Sequence, residues 1–281
     1  MARLTSSACL LLLLLARAAT PAAAEALRVC ADPANLPQSN AQGEGYENKI
    51  AAALAHDLNR TLEYTYFPQR MGFVRNTLRA RDEATQQFKC DLIIGVPSGY
   101  ELTATTRPYL HSTYALVFAP HGPLTGVHSV AELLALPAPV RATLRIGVFA
   151  RTPAADWVLQ HALMDNAVFY APQSGDPNET PESIVERDLS AGTVDAAVLW
   201  GPIAGYLAGR HGGGARPAWM AVPFPAEPGI RFDYEIAMGV RFGEQQWLDT
   251  LNVWIAQHQL QIDQILAEFH VPVLGATPAG G

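Results

Sequence analysis

Short apolar runs alternate with stretches of helical spacing along most of the chain. Leu27-Arg28-Val29-Cys30-Ala31 reads as a strand ending in Asp32-Pro33, and a polar, turn-rich loop follows to Gly45. From Tyr46 to Leu58, apolar Ile50, Ala53, Leu54 and Leu58 recur at helical spacing and predict a helix. Leu62 to Phe67 alternates as a strand and stops at Pro68, and Phe73 to Arg81 predicts a helix. Asp91 to Val96 is a continuous apolar run bounded by Pro97, as expected of a strand buried on both faces. This β-α-β-α-β order implies a parallel sheet with right-handed crossovers.

After a strand over 114–119 and a Pro/Gly stretch at 120–123, the pattern restarts. Helices are predicted over 130–136, 153–163, 181–189 and 203–207, and strands over 144–149, 167–170, 194–199 and 219–222. A long alternating strand over 232–240 and two helices, 245–258 and 262–268, complete the chain before a Pro/Gly tail. The expectation is an α/β protein of two lobes, each with a mixed, mostly parallel sheet, joined by a hinge. Residues 25–121 and 229–274 form lobe 1, 122–228 form lobe 2, and 275–281 fray. Open α/β sheets bind ligands at the carboxyl ends of their strands, so two facing lobes create one cleft that hinge motion can close.

The first 24 residues carry a different signal. Arg3 is a short positive region, Leu10 to Ala16 an apolar one, and Ala22-Ala23-Ala24 a small-residue cleavage site. The expectation is a cleavable signal peptide, a mature start at Glu25 and export to the periplasm without a membrane anchor. Composition agrees with a folded domain: of 281 residues, 49% are hydrophobic and only 16% charged. The formal net charge is −7, and removing Arg3 and Arg17 leaves 17 basic against 26 acidic residues, a net of −9. That balance excludes a nucleic-acid partner. Two cysteines remain, Cys30 and Cys90; an exported protein can join them in a disulfide, and two buried free thiols are the equal alternative.

Catalytic signatures are missing. Gly95 lies three residues before Ser98, not the two of a nucleophile elbow, and the eight histidines form no metal motif. There is no phosphate-binding glycine loop, and Glu101 is a lone carboxylate without an acid/base partner. The chain therefore reads as non-enzymatic, with no metal and no resident cofactor.

Ordered motifs resemble the type 2 periplasmic solute-binding proteins: Leu27-Arg28-Val29 with Asp32, Gly45-Tyr46-Glu47-Asn48, Lys89 to Ile93, Thr106-Arg107-Pro108-Tyr109, Ile146-Gly147-Val148 and Val194-Asp195-Ala196-Ala197-Val198. A narrower set resembles one branch: Arg28 to Pro33, Asn35-Leu36-Pro37, Phe67 to Arg70, Gly72 to Leu78, Gly95-Val96-Pro97, Gly99 to Leu102 and Leu199 to Ile203. That branch is the solute-binding-like, J-type component encoded beside quinoprotein (methanol) dehydrogenases. The resemblance implies a periplasmic accessory protein that assists maturation or activation of a pyrroloquinoline-quinone (PQQ)-dependent alcohol dehydrogenase by direct binding. Its alternative is the receptor of an ABC importer for a small solute. Amino-acid receptors of this fold carry a carboxylate-clamping arginine in the loop after the third strand, and an aspartate five residues beyond the Val-Asp-Ala aspartate. Here the loop reads Pro97-Ser98-Gly99-Tyr100-Glu101, and the second position is Trp200. A buried ammonium without a carboxylate is strongly disfavoured, so a free amino acid is not the expected ligand.

The cleft candidates are Asp32, Asn35, Gln38, Arg70, Ser98 and Tyr100 from lobe 1, and Arg151, Thr152, Ser174 and Trp200 from lobe 2. Thr152 precedes Pro153 and reads as an N-cap at a helix start that also favours anions. Trp200 either stacks on a planar ligand or fills a cleft that has lost its polar one. Arg70, Arg151 and Trp200 together would suit an anionic planar quinone such as PQQ.

Overall fold

The computed structural model describes residues 25–172, 179–212 and 219–275. The expected signal segment, Ser174 and residues 276–281 lie outside it.

Lobe 1 begins with β1 (Ala26–Ala31), the middle of a parallel trio. After it come a small hairpin, β2 (Ala34–Asn35) and β3 (Ser39–Asn40), and then α1 (Tyr46–Asp57). The hairpin was not foreseen, since two-residue strands leave no period to read. Asn48 ties it to the helix: its side-chain oxygen accepts from the backbone N–H of Asn40 at 3.0 Å and of Gly45 at 3.1 Å. In α1, Ala53 and Leu58 are half-buried and Ala51, not foreseen, is buried, while Ile50 and Leu54 are buried completely, as its spacing predicts. Each such aliphatic side chain contributes about 1.5–3 kcal/mol.

β4 (Thr61–Tyr66) and β5 (Leu92–Pro97) flank β1 in parallel. Between them α2 is one turn, Phe73–Asn76, rather than the helix predicted to Arg81. Thr77 leaves helical backbone at φ −120°, ψ −88°, and its hydroxyl donates back to the Phe73 carbonyl at 2.6 Å. Cys30 and Cys90 are disulfide-bonded, and Phe73, Val74, Leu78, Ile93 and Val96 pack around the bridge.

β6 (Ala104–Phe118) has 15 residues where the pattern predicts a strand only from Tyr114. Pro108 concealed its first half. A proline is tolerated in a strand at an irregularity, and Pro108 sits where the pairing shifts register.

Lobe 2 follows with α3 (Val130–Ala135), α4 (Ala138–Arg141), β7 (Ile146–Phe149), α5 (Pro153–Gln160) and β8 (Val168–Tyr170). It continues through α6 (Pro181–Ser190), β9 (Ala196–Trp200), α7 (Gly201–Arg210) and β10 (Met220–Pro223). α7 starts directly after β9. A Cβ at Gly201 would strike the Thr113 carbonyl, so glycine permits the approach of this helix to β6. The core of lobe 2 gathers Leu116, Phe118, Ile146, Val148 and Val198 around fully buried Trp157.

β11 (Asp233–Val240) returns to lobe 1, antiparallel to both β5 and β6. The final helix, α8 (Gln245–Glu268), is one 24-residue element, not two. The polar stretch that suggested a break is a solvent-facing turn of it, from which Gln259 donates to the Tyr109 carbonyl at 2.8 Å. Leu251, Ile255, Ile262 and Leu266 all face the lobe 1 core.

The strand order is β4-β1-β5-β11-β6-β9-β7-β8, with β10 also on β6. β6 pairs with β11 through its first part and with β9 and β10 through its last, so one strand serves both lobes. This is a mixed, two-lobed α/β fold. Among the described residues, no helix is long and apolar enough to cross a membrane.

Candidate functional site

The carboxyl end of β1 presents Asp32, which is 9% exposed. One carboxylate oxygen accepts the Ala34 N–H at 2.9 Å and the other the Gln69 N–H. The Asp32 carbonyl takes the Ser39 hydroxyl at 2.9 Å. Both oxygens therefore brace loops of the protein. Asn35 donates to the Gln69 side-chain oxygen at 3.1 Å, and Gln69 donates to the Gly95 carbonyl at 3.3 Å. Gln38 is buried, and its side-chain oxygen has no partner among the described residues.

Glu47, from the first turn of α1, lies beside this cluster and was not foreseen as a site residue. A Cβ at Gly95 would collide with its carboxylate oxygen, so the glycine leaves room for it. Burial, with Asp32 nearby, pushes its carboxyl up to about 8. The Gly45-Tyr46-Glu47-Asn48 motif held the only sequence signal, because α1 periodicity does not show that a helix start is covered.

The remaining lobe 1 candidates separate. Ser98 is exposed, and its backbone N–H bonds the Glu235 carbonyl at 2.8 Å. Arg70 and Tyr100 line a cavity of about 550 Å³ against α2. In lobe 2, Thr152 and Trp200 line a smaller one of about 180 Å³ with Tyr114, Phe149 and Ile203. Thr152 occupies the N-cap position of α5 but does not cap it as predicted. Its hydroxyl turns back to the Phe149 carbonyl at 2.7 Å. Arg151 is exposed, at φ 63°, and lines neither cavity. Trp200 meets Tyr114 and Tyr234 edge-on, with centroids at 5.7 and 6.0 Å.

Neither cavity takes candidates from both lobes. The expected trio of Arg70, Arg151 and Trp200 does not converge on either of these two cavities: Arg70 lines one, Trp200 the other and Arg151 neither. Where a solute's charged groups would need partners, lobe 1 has loop-bracing hydrogen bonds and lobe 2 has aromatic packing. Among the described residues, no group of three His, Cys, Asp or Glu side chains is placed to hold a metal ion.

No family model matches the chain. The periplasmic binding protein XoxJ from Methylobacterium extorquens AM1 is 34% identical, with a TM-score of 0.68 over 89% of this chain and 99% of that one. Protein MoxJ of Paracoccus denitrificans is 39% identical over 101 residues, 35% of this chain, and that match spans only 34% of MoxJ. MxaJ from Methlophaga aminisulfidivorans MPT, at 22% identity and a TM-score of 0.68 over 88% of this chain and all of that one, shares the fold. The identity to XoxJ along nearly its whole length, on the same two-lobed frame, means that the chain belongs to the XoxJ family of periplasmic binding proteins.

Proposed function

We propose that the protein is a periplasmic accessory factor of a PQQ-dependent methanol or alcohol dehydrogenase, delivered by a cleavable signal peptide and acting by direct contact with the enzyme during its maturation or activation. The dehydrogenase context comes from the J-type motifs. The observation that carries the mode of action is the internal use of the cleft's polar groups. Asp32 is bonded to two backbone amides, Thr152 to a carbonyl, and Trp200 occupies the position of the ammonium-binding aspartate. A receptor cleft presents such groups to its solute to fix its orientation, and a group already bonded within the protein is not available for that. A docking cleft has no such need. The lobes then act as a shaped surface, and no chemical step falls to this chain.

Biolayer interferometry of the full mature chain against cofactor-free and cofactor-loaded dehydrogenase tests this. The expected result is saturable binding, tighter for the cofactor-free enzyme and weakened about tenfold or more by Trp200→Ala, since buried aromatic anchors dominate interfaces. Absence of binding to either form removes the proposal.

One observation favours the alternative, an importer receptor for a small non-amino-acid solute: the 180 Å³ cavity beside Trp200. On that reading a solute library should contain a compound that raises the melting temperature by ligand linkage.

A further inference from the structure

The 550 Å³ cavity of lobe 1 has a chemistry that the docking reading does not use. Its wall includes Arg70, Arg75 and Arg79, and no acidic side chain. Among the described residues, none of these three arginines pairs with a carboxylate, and only Arg79 is engaged, donating to the Leu102 carbonyl at 2.6 Å. This occurs in a chain whose acidic residues outnumber its basic ones, 26 to 19. Six other described arginines do find carboxylates, among them Arg28 and Arg241 on Asp91 and Arg145 on Asp195, while Arg81, Arg107, Arg141, Arg151 and Arg231 stand singly and do not share a cavity wall with other unpaired arginines as these three do. Three guanidinium groups around one hollow without a counter-ion repel one another, and a bound anion relieves that repulsion while taking bidentate hydrogen bonds.

Apart from Gln69 and the exposed Met71, the rest of the wall is largely apolar and packed. Phe73, Val74 and Val96 are buried, and Tyr100 closes one side. Phe73 and Val74 belong to the cluster packed on the Cys30–Cys90 bridge, so the turn carrying Arg75 is anchored before any ligand arrives. The volume falls within the usual range of small-ligand sites, roughly 300–1,000 Å³.

We propose that this cavity is a binding site for an organic anion, a carboxylate carried on an apolar, ring-bearing body. Its lining includes no lobe 2 residue, so binding needs no lobe closure. The carboxylate meets Arg70 and Arg75, and the ring lies along Phe73 and Tyr100. The site is independent of the dehydrogenase-docking proposal and can stand if that fails.

Isothermal titration calorimetry of the full mature chain tests it, with 2-naphthoate as probe and neutral 2-naphthamide as its uncharged match. One site for 2-naphthoate is expected, about tenfold or more tighter than for the amide, the effect of one charge-assisted hydrogen bond. Arg70→Ala and Arg75→Ala, both at exposed positions, should each weaken 2-naphthoate about tenfold, leave the amide unchanged and leave the melting temperature in place. Equal affinity for acid and amide would overturn the proposal, as would 2-naphthoate binding that survives both substitutions. Binding of an acetyl-Glu-Glu-Leu-Glu-Glu-amide peptide in the absence of any 2-naphthoate binding would also overturn it, and would make the cavity a protein-docking feature.

Discussion

The two lobes share an architecture but are held by different forces. Lobe 1 is tied by a covalent bridge and by charge. Cys30–Cys90 joins β1 to the residues before β5. Arg241 donates to Asp91 at 2.8 Å, to Glu244 at 2.7 Å and to the Leu78 and Cys90 carbonyls, while lying 4.0 Å from the centre of the Phe88 ring. Lobe 2 carries ion pairs such as Arg145–Asp195 at its periphery, but its centre is aromatic: Trp157 meets Phe224 edge-on at 5.0 Å, and Phe224 stacks on Phe232 at 4.4 Å. The difference reaches the cleft. Lobe 1 contributes carboxylates and amides that brace its loops, and lobe 2 contributes Trp200 and Phe149 beside Tyr114 of the shared strand β6.

Two substitutions should break the comparison most strongly, one in each lobe. Replacing Cys30 and Cys90 together by serine releases a loop across a separation of 60 residues. The expected loss is about 4 kcal/mol, read as a lower calorimetric midpoint. Wild-type protein under reducing conditions should match the double variant. Trp157→Ala should cost lobe 2 roughly 3–5 kcal/mol, because the indole is fully buried. Trp157→Ala should be insensitive to reductant beyond the shift seen in the wild type, since the bridge lies in the other lobe.

Arg241→Ala comes next. The side chain is 12% exposed, and its removal leaves Asp91 to Arg28 alone and takes the donor from the Leu78 and Cys90 carbonyls. A loss of about 2–3 kcal/mol in urea denaturation is expected. A change below about 0.5 kcal/mol would mean that Arg28 alone holds Asp91, as a surface pair would.

A pH dependence sharpens the view of lobe 1 as the lobe with a buried carboxyl. The Glu47 carboxyl sits at about 8 in the folded chain against an ordinary 4.5. Between those values the unfolded chain releases a proton that the folded chain keeps, so stability falls as pH rises from about 4.5 to 8 and levels beyond. Glu47→Gln should therefore raise the melting temperature clearly at pH 8 and change it little at pH 4.5. An equal shift at both pH values would show that packing, not ionisation, sets the effect.

The fold was legible where hydrophobic period was uninterrupted. β1, α1, β5 and β9 lie within a residue or two of their predicted bounds, because each is an apolar run or face closed by Pro, Gly or Asp. It was illegible where a local breaker was overruled by tertiary pairing. Pro108 hid half of β6 because its missing N–H falls at a register shift, and the polar turn around Gln259 split α8 although Ile255 and Ile262 on either side share one core. The site shows the same division. Asp32 and Trp200 could be named because they end buried strands. Glu47 and Gln69 could not, since their roles depend on Gly95 and Asp32, which long-range contacts bring to them.

Native mass spectrometry of the protein, purified gently from its own periplasm, most directly tests the central claim that the cleft docks a protein. The account predicts co-purification with a dehydrogenase subunit. An isolated monomer with a small added mass that is lost on Trp200→Ala would contradict it and identify a solute receptor.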